Sequence, residues 1–118
     1  MVESGLELYK KWMDGLVELS RRCVDADCVK QGQFPGAESG EINDVLKKLT
    51  PADRAVLAKW MLRCYQGAVH DVLDHMEWLQ CCRGMKISID GQTLASDAFE
   101  GFSCDYIGRM SGDWEWPE

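Results

Sequence analysis

Residues 50–83 read TPADRAVLAKWMLRCYQGAVHDVLDHMEWLQCCR, and the fold turns on how this stretch is read. Its head is a helix start. Thr50 is a favoured N-cap, Pro51 sits where a missing N–H costs nothing, and Asp53 faces the positive helix end. Leu57, Met61, Cys64, Ala68, Val72, Met76 and Leu79 then recur at helical spacing and predict the buried stripe, in phase across Gly67. An unbroken helix over 51–82 would be about 48 Å long at 1.5 Å per residue. A compact domain of this size is only about 35 Å across. That length predicts a break near Gly67, with a projecting helix and a second copy of the chain, a homodimer, as the alternative.

Upstream, residues 6–24 read as a first helix, with Leu6, Tyr9, Met13, Leu16, Val17 and Val24 on one face. Ser4 and Glu7 form a capping box at its start, and the helix, or a second short one, continues through Val29. Gly32-Gln33-Phe34-Pro35-Gly36 is a loop, with Phe34 its anchor. A short helix over 40–49 follows, with Ile42, Val45, Leu46 and Leu49 as its buried stripe. Downstream, residues 85–89 and 92–95 flank Asp90-Gly91 and read as a β-hairpin with a type I′ turn. A short helix over 103–110 and the tail SGDWEWPE close the chain, and the tail is expected to pack over the hairpin. The fold class is mainly α: a compact helical bundle of four or five helices with one small C-terminal β-hairpin. The expected organisation is one domain over 1–118. It comprises a helical segment over 1–31, a loop over 32–40, a helical segment over 41–83 broken near Gly67, and the hairpin with its Trp-rich tail over 84–118.

The formal charge of −7 argues against a nucleic-acid binder, which needs a basic face to displace counterions, and suits a basic protein partner. No run reaches the roughly 20 apolar residues of a membrane span, and no export signal stands at the N-terminus. The six cysteines lie mostly in helical patterns without metal or redox spacing, so they read as reduced thiols in a cytoplasmic protein. Phosphate-binding Gly-rich loops, GxSxG, HExxH and calcium loops are all absent from the sequence. No catalytic residue, metal ligand set or cofactor is assigned.

The one polar constellation is GAVHDVLDH, residues 67–75. His70 and Asp74 share a helix face, as do Asp71 and His75, and a His oriented by a carboxylate is the unit of general-base and metal-ligand chemistry. The two histidines, however, are five apart and point in different directions, so a solvated first turn of a helix is the structural reading. Trp114 and Trp116 are candidate binding residues, against packing of the tail. Trp12, Trp60 and Trp78 read as core filling, against an aromatic partner surface.

Taken together, YKKWMDGLV (9–17), GQFP (32–35), Glu41-Ile42-Asn43 with Leu46 and Leu49, TPADRAVLA (50–58), GAVHDVL (67–73), the Gly84 hairpin and GDWEWP (112–117) cover most of the chain. In these features the chain resembles a family of small, acidic, uncharacterised bacterial proteins of the accessory-gene or mobile-cassette type. The resemblance implies no activity; it implies that His70, Asp71 and the tail share one surface. The leading expectation is a non-enzymatic interaction module, immunity-like or an adaptor, using an acidic surface. The alternative is a small-ligand or metal-binding protein, with hydrolytic chemistry as one version, sited around His70, Asp71, Asp74 and His75.

Overall fold

Local signals set both long helices. In the computed structural model, which describes residues 3–112 and 114–117, the Glu7 N–H donates to Ser4 Oγ at 3.2 Å and the Ser4 N–H to Glu7 Oε2 at 3.3 Å. This reciprocal capping box opens α1 (Gly5–Ser20). The expected first helix is divided: α1 ends at Ser20, and α2 (Val24–Gln31) follows, closed by Gly32 in the left-handed region at φ +87°. A single 3₁₀ turn (Ala37–Ser39) leads into α3 (Gly40–Lys47). Thr50 Oγ1 accepts the Asp53 N–H at 3.1 Å and caps α4 (Pro51–Arg83).

After α4, β1 (Ser88–Ile89) pairs antiparallel with β2 (Gln92–Thr93), Ser88 opposite Thr93 and Ile89 opposite Gln92. Asp90 at φ +50° and Gly91 at φ +77° form the two-residue turn of positive φ that Asp-Gly predicts. α5 (Phe102–Ser111) completes the described elements, so the protein is mainly helical with a small hairpin near its C-terminus. Asp113 and Glu118 of the tail quoted above, like Met1 and Val2, lie outside the described residues. Among the described residues no helix is long and apolar enough to cross a membrane.

Two compact units form, one from residues 1–19 and 68–118, the other from residues 20–67. The first buries Tyr9, Met13 and Val17 of α1 with Leu73, Leu94, Phe102 and Tyr106. Its hairpin, too small to stand alone, is tied to α1 where the Ala95 N–H donates to the Gly5 carbonyl at 3.1 Å. The second buries Ala26, Val29, Leu46 and Ala58, with Phe34 packed against them as the sequence predicts. The inner face of α3 differs from the expectation. Asn43 takes a buried position because its side chain holds both backbone groups of Phe34, accepting from the N–H at 2.7 Å and donating to the carbonyl at 3.0 Å. Ile42 and Val45 consequently face out.

α4 corrects two further expectations. It runs unbroken through Gly67, where a side chain would meet open space. A helical glycine costs only about 1 kcal/mol against alanine, too little to interrupt so long a ladder of hydrogen bonds. Each of the two compact units takes in its own part of α4. The buried face is also rotated from the predicted stripe. Ala58 and Leu73 are buried, with Met61, Leu62, Val69 and Met76 packed beside the cores, while Leu57, Cys64, Ala68 and Val72 face outward. Because Gly67 is helical and unobstructed, Gly67→Ala should raise stability by about 0.5–1 kcal/mol. A thermal midpoint below wild type would contradict a continuous α4.

Candidate functional site

With Leu73 turned inward, the outer face of α4 beyond Gly67 carries Asp71, Val72, His75 and Trp78. Asp71 is 84% exposed at its side chain, Val72 60% and Trp78 50%. His70, half-buried, sets Nδ1 3.3 Å from Asp71 Oδ1. One turn on, the His75 ring stacks on Trp78, centroids 6.1 Å apart and planes at 17°. Asp74 accepts from Ser103 Oγ of α5 at 3.3 Å. The four predicted residues therefore stand as separate pairs. His70 keeps company with Asp71, His75 with Trp78, and Asp74 with Ser103. Among the described residues no three His, Cys, Asp or Glu stand close enough together to hold a metal ion.

Trp114 and Trp116 are held elsewhere in the same unit. The Asp14 carboxylate accepts from Arg109 Nε at 2.7 Å, Arg109 Nη2 at 3.2 Å and Trp116 Nε1 at 3.0 Å, and Arg109 Nη1 donates to the Trp114 carbonyl at 3.1 Å. The Arg109 guanidinium also lies 5.2 Å from the Trp116 ring centroid, and both indoles pack on Phe99. Trp114 and Trp116 thus pack on Phe99 and are held to α1 and α5 by the charged anchors Asp14 and Arg109. Trp60 and Trp78, read as core filling, are half exposed instead. Trp12 meets the expectation, lying 5.5 Å from Phe102 edge to face.

Sequence reasoning missed a buried polar pair. Tyr9, with no exposed surface, donates its hydroxyl to Asp105 Oδ2 at 2.5 Å, and Asp105 is 1% exposed. Asp105 Oδ1 accepts the Glu100 N–H at 3.1 Å. Burial, and then the neighbouring carboxylate, push the Tyr9 hydroxyl well above its ordinary range, so it stays a donor. Glu77 of α4 caps α5, accepting the Phe102 N–H at 3.0 Å. The same carboxylate accepts from Cys81 Sγ at 3.4 Å and raises that thiol, which lines a groove of about 400 Å³ between the end of α4 and the hairpin. A raised thiol is less ionised, and the thiolate is the nucleophilic form. All six cysteines are free.

The class is therefore a mainly helical protein with a small hairpin, which buries a Tyr9–Asp105 pair and carries half-exposed tryptophans, Trp60 and Trp78, on α4. The chain belongs to a family of unknown function, DUF6547, whose model matches residues 2–118. No curated protein and no solved structure matches it.

Proposed function

We propose that this protein is a non-enzymatic interaction module that binds a basic protein partner through the outer face of α4 beyond Gly67. The observation that carries this reading is Trp78, half exposed and stacked on His75, with Asp71 and Val72 on the same stretch of outer face. An exposed tryptophan held in place by a neighbouring ring is the residue type that most often dominates an interface, because little side-chain freedom remains to be lost on binding. The net charge of −7 would steer a basic partner toward it. Ile107, one turn past Ser103 on α5, is likewise half exposed. The separate pairing of His70, Asp71, Asp74 and His75 favours this reading over a ligand or metal pocket. An immunity-like or adaptor role, of the kind the resemblance suggests, would use such a surface.

The test is affinity capture at low salt with wild type, Trp78→Ala and Asp71→Asn, each first shown to be folded. A specific partner should be lost from Trp78→Ala, with affinity reduced by about 2 kcal/mol, roughly thirtyfold in Kd. Asp71→Asn and added salt should weaken capture more modestly, because exposed charges are screened. Equal recovery on wild type and Trp78→Ala would remove this face from the proposal.

A further inference from the structure

The chain is acidic, but its basic residues are not evenly spread. Four of its thirteen, Arg21, Arg22, Lys30 and Lys59, line one groove of about 300 Å³ on the unit formed by residues 20–67, where Asp27 is the one carboxylate among the described residues. That carboxylate is engaged by Arg22, Nε to Oδ2 at 2.8 Å. Lys30 near the end of α2 and Lys59 of α4 bring cationic side chains to the same groove. Its floor is apolar and built of small residues: Ala26 and Ala58 are buried and Leu62 is half-buried.

Like charges do not gather around a concavity for stability, since each repels the others. A cleft ringed by one sign of charge concentrates its field and attracts the opposite ion even when the whole molecule is acidic. The volume is at the lower end of small-molecule sites, of the order of 300 Å³, which suits a compact ligand. Guanidinium and ammonium groups together match phosphate oxygens, and the alanine floor leaves room for a flat apolar body against the helices. We infer that this groove binds a small organic phosphate, with the phosphate on the Arg22–Lys30–Lys59 rim and its apolar part over Ala26 and Ala58. The groove belongs to the unit of residues 20–67 and the α4 face described above to the other, and neither reading depends on the other.

Titration of the full chain with phenyl phosphate and with inorganic phosphate, followed by calorimetry or by amide shifts, tests the inference. Phenyl phosphate should bind several-fold more tightly than inorganic phosphate, and the shifts should centre on α2 and Lys59. Lys30→Gln with Lys59→Gln should reduce the affinity about tenfold. Lys47→Gln with Lys48→Gln removes the same charge from α3 and its end and should leave the affinity within twofold. Failure of phenyl phosphate to bind overturns the proposal. So does an equal loss in the two double variants, which would report net charge alone, and so does equal affinity for the two probes.

Discussion

Asp105→Ala should cost the protein about 3 kcal/mol, enough to lower Tm by roughly 10 °C. The substitution removes the acceptor of the Tyr9 hydroxyl and of the Glu100 N–H, leaving the hydroxyl unpaired in the core, and it opens a cavity at a buried position. Tyr9→Phe takes away one donor and should cost only about 1 kcal/mol. The pair also carries a pH signature. Burial, the largest effect, raises the Asp105 carboxyl above its ordinary 3.8, against hydrogen bonds from Tyr9, Glu100 and Gly101 that lower it. A carboxyl that titrates higher in the folded state contributes stability that is complete below about pH 3.8 and is lost as pH rises through the folded value. Asp105→Asn lacks this dependence, so the stability difference between wild type and Asp105→Asn should move against wild type between pH 4 and pH 7. Denaturant melts at a series of pH values measure it; a difference that is constant, or that moves the other way, would falsify the assignment of a raised carboxyl.

The same substitution made twice in α1 should give opposite signs. A Cβ on Gly5 would run into the Thr93 backbone carbonyl, which cannot swing aside as a flexible side chain can. Gly5→Ala must therefore push the hairpin off α1 and break the bond from the Ala95 N–H, costing about 3 kcal/mol. Gly15 meets nothing within 4 Å in the same helix, so Gly15→Ala should instead add about 0.5–1 kcal/mol. Chemical denaturation of the two variants side by side measures both. A Gly5→Ala protein as stable as wild type would show that α1 and the hairpin do not meet as described.

The sequence made helix starts and the hairpin legible because each is written in a few adjacent residues: Ser4 with Glu7, Thr50 with Asp53, Asp90 with Gly91. The faces of α3 and α4 were not legible. α4 carries apolar side chains around its whole circumference, so periodicity does not choose between the Leu57 line and the Ala58 line; packing decides. On α3 a polar residue, Asn43, displaced apolar ones because the loop at Phe34 needed its backbone groups paired. Asp105 sits in the first turn of α5, where an acidic residue ordinarily reads as a solvated partner of the helix dipole. Only its meeting with Tyr9, distant in the chain, turns it into a buried acceptor. For the candidate face, GAVHDVLDH pointed to the second half of α4, and Trp78 joins the proposed surface only once Leu73 fixes which side faces inward.

The unit containing α1 draws its core from both ends of the sequence. Asp14 meets Arg109 and Trp116, and Tyr9 meets Asp105, across separations of 95, 102 and 96 residues. Closing so long a loop is entropically only slightly worse than closing one half its length, by about 0.6 kcal/mol, but it is slow and strictly ordered in time. During synthesis α1 emerges before residues 94–116, so Tyr9, Met13 and Val17 stay incompletely covered until those residues too have left the ribosome. The unit of residues 20–67 draws on one continuous segment and can be complete well before then.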